Sequence, residues 1–251
     1  MATIYEPKGK AGEYSPLACN LYRGCTHGCT YCYAPSVLRM KREDFHGKCE
    51  PRKNILAELE KDCKKLAGDL RPVLLSFTSD AYQPREETEK LTRQAIEILG
   101  EYDMTITVLT KAALAERDFD LFVKYDVAFG MTIVFADDDV AARWEPNASS
   151  ITERERVLRK AKSLGISTWV SIEPVIYPLH ALAIVEKMAD TVDLWKVGKL
   201  NYDKEQEAAV DWPVFLNDML ELLNTVKAKY YIKDDLWKLR SKDCKYPKEN
   251  R

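Results

Sequence analysis

The sequence lacks the features that would place it in a membrane or outside the cell. No window approaches the roughly 18 consecutive apolar residues that a membrane-spanning helix needs, so we expect no membrane partner. The first ten residues, "MATIYEPKGK", hold no apolar run, so we expect no secretory signal and a cytoplasmic location. Positive charge is not in excess, because 38 Lys and Arg stand against 40 Asp and Glu. The formal net charge of −2 therefore does not indicate a nucleic-acid-binding protein.

Paired cysteines are also lacking. The chain has seven cysteines, an odd number, and no export signal, so metal binding or chemistry is a better interpretation than a disulfide framework. Cys25, Cys29 and Cys32 lie within eight residues, in "CTHGCTYC". No second cluster of thiols accompanies them. The other four cysteines are scattered along the chain: Cys19, Cys49, Cys63 and Cys244.

Strand-like and helix-like segments alternate along most of the 251 residues. Predicted strands include "RPVLLSFT", "MTITVLT", "VAFGMTIV", "STWVSIEP", "DLWKVGKL" and "YYIK". Predicted helices include "PREETEKLTRQAIEILG", "ERDFDLFVKY", "SITERERVLRKAKSLG", "LHALAIVEKMA" and "WPVFLNDMLELLNTVKAK". In the third helix, Ser150 followed by Glu153 has the spacing of a capping box. Such alternation predicts an α/β fold with a mainly parallel sheet and helices outside it.

The number of units favours an open barrel over a closed one. About six strand–helix units follow the strand-like lead "LACNLY", so we predict a partial (β/α)6 barrel rather than a closed barrel of eight units. A doubly wound sheet is the structural alternative, because strand order cannot be read from the sequence. We predict one domain over 1–251, with a core at about 15–226 and extensions at both ends.

Both architectures place ligands at the carboxyl ends of the strands. The segments predicted there are the cysteine loop, "TSDAYQP", "TK" at 110–111, "VFADDD", "EPVIYP" and "GKLNY". Both ends of the chain are basic, since residues 227–251 carry nine Lys and Arg against four Asp and Glu, and residues 1–53 carry nine against five. These charges are either simply solvated or form a basic rim that guides an anionic substrate.

Two metal sites are compatible with three clustered thiols. Structural zinc normally takes four protein ligands in two pairs, and only His27 could complete the set here. A [4Fe–4S] cluster uses thiolates, ordinarily four, so three would leave one iron open to bind another molecule.

The pattern "CTHGCTYC" resembles the CxxxCxxC signature of the radical SAM superfamily, with Tyr31 as the usual aromatic before the third cysteine. The resemblance implies a partial barrel of the radical SAM type, with a [4Fe–4S] cluster on Cys25, Cys29 and Cys32. It also implies that S-adenosylmethionine chelates the open iron and is reductively cleaved to a 5′-deoxyadenosyl radical, which abstracts hydrogen from a substrate.

Longer stretches resemble the spore photoproduct lyase-like branch: "EYSPLACNLYRGCTHGCTYCYAP", "SFTSDAYQPREE", "LTKAALAERDFDLF" and "WEPNASSITERERVL". The resemblance assigns S-adenosylmethionine contacts to Ser79, Lys111 and Thr132. Lys111 can pair with a carboxylate, and hydroxyls can bond oxygens of the cofactor or its ribose. Asp80 is a candidate to orient a neighbour or bind the ribose.

The same resemblance assigns Tyr31 to packing at the cofactor and Tyr33 to hydrogen-atom relay. One position departs from the lyase, which has a hydrogen-donating cysteine where this chain has Phe77. Direct lyase chemistry by that route is therefore not expected, and Cys19, Cys49 or Cys63 could substitute only from within the pocket. Further pocket candidates at strand ends are Tyr82, Glu173, Lys196, Lys199 and Tyr202.

Three functions follow as hypotheses. The first is a radical SAM enzyme, lyase-like or with another reaction, that acts on a nucleic acid or nucleotide, and the second is one that acts on a small metabolite or peptide. The third is a non-enzymatic zinc or iron–sulfur binding module. For the enzymes we expect an electron donor such as flavodoxin or ferredoxin, and for all three a monomer.

Overall fold

The computed structural model describes residues 3–201 and 203–250, so Tyr202 lies outside the described residues. In chain order the strands are β1 (Ile4–Tyr5), β2 (Leu17–Cys19), β3 (Tyr22–Arg23), β4 (Glu50–Pro51), β5 (Val73–Leu75), β6 (Ile106–Thr110), β7 (Ala128–Thr132), β8 (Thr168–Val175), β9 (Leu194–Lys199), β10 (Tyr230–Ile232) and β11 (Glu249–Asn250). The α-helices are α1 (Ala34–Leu38), α2 (Arg42–Gly47), α3 (Ile55–Lys65), α4 (Glu86–Glu89), α5 (Leu91–Glu101), α6 (Phe119–Lys124), α7 (Asp138–Trp144), α8 (Ile151–Ser163), α9 (Pro178–Met188), α10 (Lys204–Ala208), α11 (Trp212–Thr225) and α12 (Asp234–Trp237).

The main sheet follows the order of the chain. Its strands lie in the order β1-β2-β5-β6-β7-β8-β9-β10-β11. Neighbours from β2 to β10 are parallel, and only the two edge pairs, β1 with β2 and β10 with β11, are antiparallel. A doubly wound sheet reverses its strand order at a switch point. No reversal occurs here, so the doubly wound alternative is wrong and the predicted partial barrel is confirmed.

The sheet curls enough for distant strands to touch on its inner face. Trp169 of β8 packs in one cluster with Ala18 of β2 and Leu74 of β5, although two strands separate β5 from β8. The indole lies directly over Gly130 of β7, where an added Cβ would stand 2.1 Å from Trp169 Cε2. Glycine at 130 therefore makes room for a large side chain inside the curve.

The amino-terminal segment, residues 8–14, precedes β2 and is bonded to the last two parallel strands, β9 and β10. Lys196 of β9 donates a hydrogen bond to the carbonyl oxygen of Tyr14 (2.6 Å). Lys233, which follows β10, donates to the carbonyl oxygen of Lys10 (2.8 Å). The sheet thus continues past the core boundary that we predicted at residue 226, and the amino-terminal extension packs against it.

The helices largely follow the sequence prediction, with one interruption. The helix predicted from 84 to 100 is divided into α4 and α5 at Lys90, whose φ is 50°. The cause is buried Glu86, whose carboxylate accepts hydrogen bonds from the backbone N–H groups of Leu91 and Thr92 (3.0 Å each). A carboxylate in that position caps the start of a new helix.

The start of α8 carries the predicted capping box. Ser150 accepts from the backbone N–H of Glu153, and the Glu153 side chain accepts from the Ser150 N–H. Across the described residues, no helix is long and apolar enough to span a membrane.

Candidate active site

A cavity of about 440 Å³ opens at the carboxyl ends of the strands. Most of the site residues predicted from the sequence line it: Cys25, Cys29, Tyr31, Cys32, Tyr33, Ser79, Asp80, Lys111 and Thr132. The segments that follow β3, β5, β6 and β7 are therefore brought to one place, as parallel strand ends must be. Their individual roles stay predictions.

The cysteine loop follows β3 and begins with a glycine. Gly24 has a φ of +84°, and an added Cβ would lie 1.9 Å from the carbonyl oxygen of Lys48. The backbone N–H of Cys25 donates to the carbonyl of Phe45 (3.1 Å). Only glycine can make this approach, which directs the first thiol towards the cavity.

Arg42 of α2 binds the backbone of the cysteine loop from outside the cavity. Its guanidinium donates to the carbonyl oxygens of Cys29 (2.7 Å), Thr30 (2.9 Å) and Cys32 (2.9 Å). Arginine has a rigid fork of donors and can satisfy several carbonyls at once. Two of the three thiol-bearing residues thus have their backbones held by a single cation.

Residues 144–149, within the "WEPNASS" stretch, hold the loop from the other side. The carbonyl of Trp144 accepts from the N–H of Thr30 (2.8 Å), and the Asn147 side chain donates to the carbonyl of Thr26 (2.9 Å). Ser149 N–H donates to the carbonyl of Lys111 (3.1 Å). One segment therefore fixes both the cysteine loop and the lysine loop.

A buried ion pair supports this segment. Arg154 Nη1 of α8 lies 2.6 Å from Glu145 Oε2, and both side chains are 1% exposed or less. Glu145 Oε2 has no hydrogen-bond partner among the described residues, so its contact with Arg154 is an ion pair only. Glu145 Oε1 accepts a hydrogen bond from the Tyr31 hydroxyl. The position of Tyr31 thus depends on a charge pair in the core.

The three thiols fit a four-iron cluster in donor type and placement. All are free, they share one loop, and they line one cavity. Burial raises the pKa of each thiol, that of Cys29 to about 12, so a bound metal would have to supply the positive charge that keeps them ionised.

The alternative of a single zinc ion would require ligands that converge on one point. Of the residues that the structure describes, no three His, Cys, Asp or Glu side chains lie close enough to hold a single ion. Thiolates of a four-iron cluster bind different iron atoms and therefore stand farther apart. His27, the candidate fourth zinc ligand, has its Nδ1 3.4 Å from the Asp80 carboxylate.

Asp80 organises the lysine loop. Its carboxylate accepts from the Thr110 hydroxyl (2.6 Å) and from the backbone N–H groups of Lys111 (2.8 Å) and Tyr82 (2.8 Å). Although burial alone would raise it, the pKa of Asp80 lies well below its usual range because of His27 and these donors. The contacts support the role of orienting a neighbour, which the sequence left open beside ribose binding.

Lys111 reaches over the Tyr31 ring, with Nζ 5.7 Å from the ring centre. Burial lowers the pKa of this ammonium, but the Cys29 thiol and Glu145 more than offset burial and leave the pKa raised. Within the described parts of the chain, no carboxylate lies within 4 Å of Nζ.

Ser79 donates to the carbonyl of Tyr22 (3.3 Å), and Thr132 is buried at the end of β7.

The opposite half of the cavity is aromatic. The Tyr33 hydroxyl donates to the carbonyl of Phe77 (3.1 Å), and the rings of Tyr33 and Tyr14 lie 6.1 Å and 6.0 Å from that of Phe77. Tyr14 also donates to the Glu173 carboxylate. This half is completed by the side chains of Lys8, Lys10, Lys199, Asn201 and Lys233.

The structure separates the remaining sequence candidates. Glu173 and Lys199 line the cavity, whereas Tyr82 and Lys196 do not. Tyr82 donates to buried Asp118 (3.1 Å), which gives it a structural role in the core. The candidate substitute thiols lie outside the cavity lining: Cys19, Cys49 and Cys63.

Sequence reasoning missed Tyr14, Lys233, Arg42, Glu145 and Arg154. Lys233 directly follows a strand, as Lys111 does, so its position could have indicated it. Tyr14 and Glu145 fall in stretches that resemble the lyase-like branch. Arg154 falls in the same stretch as its partner Glu145, which is nine residues away. No sequence pattern indicates Arg42, because its partners are backbone carbonyls.

Comparison with known families gives one match over most of the chain. The model of the Radical SAM superfamily matches residues 19–192. An uncharacterized protein of Methanocaldococcus jannaschii is 32% identical over 158 residues, which are 62% of this chain and 59% of that protein. An uncharacterized protein of Acidianus two-tailed virus is 28% identical over 189 residues, 70% of this chain and 62% of that protein. The chain thus spans about 60% of the length of these two relatives.

Solved structures give the same fold at low identity. A mutant of spore photoproduct lyase with bound AdoMet and a dinucleoside spore photoproduct has a TM-score of 0.68 at 16% identity, covering 93% of this chain and 79% of the lyase. SuiB of Streptococcus suis bound to S-adenosylmethionine has a TM-score of 0.63 at 10% identity, covering 86% of this chain and 49% of SuiB.

Proposed function

Because the chain belongs to the radical SAM superfamily, whose cofactors are a [4Fe–4S] cluster and S-adenosylmethionine, we propose that it reductively cleaves S-adenosylmethionine to start hydrogen abstraction from a substrate. The observation that carries the proposal is that three free thiols of one loop share a cavity with Lys111. When bound, the two cofactors supply a 5′-deoxyadenosyl radical.

The protein's own residues bind and orient in this proposal. Cys25, Cys29 and Cys32 hold three irons and leave the fourth for the cofactor. The Lys111 ammonium, which has no carboxylate within 4 Å among the residues that the structure describes, pairs with the carboxylate of S-adenosylmethionine. Asp80 holds the Lys111 backbone through a 2.8 Å hydrogen bond and so directs the lysine.

The other proposed cofactor contacts are made by uncharged side chains. The hydroxyls of Ser79 and Thr132 face the same cavity and can bond cofactor oxygens. Tyr31, fixed by Glu145, packs beside the cofactor. Tyr33 directly follows the cysteine loop and contacts Phe77 of the aromatic half, which supports its assignment as a hydrogen-atom relay to substrate.

The first test is formation of the cluster. Anaerobic purification and reconstitution should give about four irons per chain. With dithionite and S-adenosylmethionine, the loaded protein should release 5′-deoxyadenosine. Cys29→Ala should lose both properties, whereas Cys244→Ala, a half-buried thiol outside the loop, should keep both. Unchanged iron in Cys29→Ala would refute the assignment, and an iron-loaded protein that never cleaves S-adenosylmethionine would support a non-enzymatic module.

We further propose a substrate that combines an aromatic ring with negative charge, as a nucleotide or nucleic acid does. The support is the aromatic half of the cavity, with Tyr14, Tyr33 and Phe77, and the lysines at its rim. Three of these lysines are partly neutralised. Lys10 pairs with Asp235, Glu207 lies 2.6 Å from the ammonium of Lys199, and Glu173 lies 3.4 Å from that of Lys233.

Binding experiments separate this substrate class from a small metabolite or peptide. Binding of a short DNA, RNA or mononucleotide should weaken steeply as salt rises. Lys8→Glu, at the cavity rim, should weaken it further, and Lys229→Glu, at the start of β10 and the opposite end of the barrel, should not. No binding to any of these at low salt would favour the metabolite or peptide alternative.

A further inference from the structure

The segment from Ser36 to Lys48 lies between the cysteine loop and solvent. Arg42 in this segment bonds three carbonyls of the loop, and the carbonyl of Phe45 accepts from the N–H of Cys25. The guanidinium is therefore one hydrogen bond from the backbones of Cys29 and Cys32. A molecule that touches this surface is close to the thiols without entering the cavity.

The exposed side chains of this segment form a small apolar centre with a basic edge, which we call the outer patch. Val37 is 59% and Leu38 37% exposed, and Arg39 and Lys41 are exposed beside them. Neither basic residue has an ion pair among the described residues, and neither lines the cavity, although Val37 reaches its rim. Such an arrangement is typical of interfaces, which have an apolar core and a polar rim.

The charge of the segment contrasts with that of the chain. Residues 36–48 carry four Lys and Arg against two acids, Glu43 and Asp44, while the whole chain has a net charge of −2. Lys48 is paired with Glu50 (2.6 Å), so Arg39, Lys41 and Arg42 stand against Glu43 and Asp44, and the segment keeps an excess of one positive charge. A local excess of positive charge attracts an acidic partner and accelerates its encounter.

We propose that the outer patch is the docking surface for an acidic one-electron carrier protein of the flavodoxin or ferredoxin kind. The inference rests on the proposed function, because only a reductive reaction needs such a partner. One electron leaves the reduced carrier and enters the cluster, so the carrier is oxidised and the cluster reduced by one electron, with no bond made or broken.

Position favours this partner over a nucleic acid. Electron transfer slows steeply with distance, so a carrier must bind close to the cluster. Arg42 bonds the backbone carbonyls of Cys29 and Cys32, which places the outer patch beside the loop that would hold the cluster. A nucleic acid substrate must instead deliver an atom into the cavity, which Arg39 and Lys41 do not line. The small size of the patch suits electron-transfer complexes, which bury little surface and separate quickly.

The test is a charge reversal, Arg39→Glu with Lys41→Glu, compared with a matched control, Lys227→Glu with Lys229→Glu. Both control lysines are exposed, and their substitution changes the charge by the same amount. They lie just before β10, far along the barrel from the cysteine loop. Arg42 is left intact because it holds the loop. Flavodoxin binding is measured with the cluster-free chain and with the reconstituted chain, at about 20 and about 200 mM salt. Cluster reduction by reduced flavodoxin is then followed from its loss of absorbance.

Wild-type binding should weaken as salt rises. At low salt the patch variant should bind flavodoxin about tenfold more weakly than wild type, and its cluster should be reduced about tenfold more slowly. The control should stay within about twofold of wild type in both measurements. Dithionite, which needs no docking, should reduce all three proteins equally. Equal flavodoxin rates would overturn the proposal, as would a patch variant that loses only DNA or RNA binding. If no cluster forms in wild type, the proposed function fails, and flavodoxin binding to the cluster-free chain still decides the docking surface.

Discussion

Replacing Glu145 should destabilise the fold more than replacing almost any surface carboxylate. Arg154 is completely buried, and in Glu145→Ala it keeps its hydrogen bonds to the carbonyls of Ser149 (2.8 Å) and Thr132 (3.0 Å) but loses its counter-charge. An uncompensated buried charge costs about 3–5 kcal/mol. The Tyr31 hydroxyl also loses its acceptor, which adds about 1–3 kcal/mol if water does not replace it.

The conservative variant Glu145→Gln tests the loss of the charge with little change in side-chain shape. Glu145→Gln keeps an oxygen for the Tyr31 hydroxyl and fills the same space, but it turns an amide NH2 towards the Arg154 guanidinium, so the charge term of about 3 kcal/mol is lost in full. Glu116→Ala is the matched control, because Glu116 pairs with Arg156 (2.7 Å) of the same helix at the surface. An exposed pair contributes about 1 kcal/mol or less.

The assay is urea unfolding of the cluster-free chain at pH 7, with iron content measured after reconstitution. The urea midpoint should fall most for Glu145→Ala, less for Glu145→Gln and little for Glu116→Ala, with an unchanged slope. Iron retention should follow the same order, since Glu145 fixes the loop through Tyr31. A midpoint for Glu145→Ala equal to that of Glu116→Ala would refute the reasoning.

Three further predictions concern the scaffold. Gly130→Ala should lower stability by about 1–3 kcal/mol, because its Cβ would press on the Trp169 indole at 2.1 Å, and thermal unfolding measures the loss. Ser150→Ala should cost about 1 kcal/mol through loss of the cap, and a midpoint equal to that of wild type would contradict it. Burial opposes ionisation of Asp193, but a hydrogen bond from Lys162 and others from its neighbours hold its pKa below the usual value. The stability that Asp193 adds is therefore present above about pH 4 and is lost as pH falls through its folded pKa, so Asp193→Asn should unfold more easily than wild type near pH 7 and no differently in strong acid.

The fold could be predicted because its pattern is local and repeated. Each strand is a short apolar run, and each helix that follows has an apolar stripe or a cap such as Ser150, so one chain segment contains the information for one element. The predicted helix at 84–100 was wrong in its middle for the opposite reason. Its break at Lys90 depends on Glu86, which is held in the core by Tyr22 and by Arg117 (2.8 Å), and both partners are more than 30 residues away.

The site could be predicted only in part, because some of its contacts also join residues that are far apart in the sequence. Cysteine spacing and strand ends indicate which residues face the cavity, because parallel strands finish at one edge. They do not indicate what holds those residues in place. Arg42 acts on backbone carbonyls, which have no sequence signature, and Glu145 meets Tyr31 across 114 residues.

The position of Phe77 in the cavity limits how far the comparison with spore photoproduct lyase can be taken. A thiol at this position would face the aromatic half of the cavity, between Tyr14 and Tyr33, and could return hydrogen to a substrate radical there. Phenylalanine offers no such hydrogen, and the candidate substitutes Cys19, Cys49 and Cys63 lie outside the cavity lining. The O–H groups beside Phe77 are the alcohols of Ser76 and Thr78 and the phenols of Tyr14 and Tyr33, and a phenol gives up its hydrogen atom far more readily than an alcohol. Among the side chains that the structure describes beside Phe77, tyrosine rather than cysteine is therefore the available donor of hydrogen to a substrate radical.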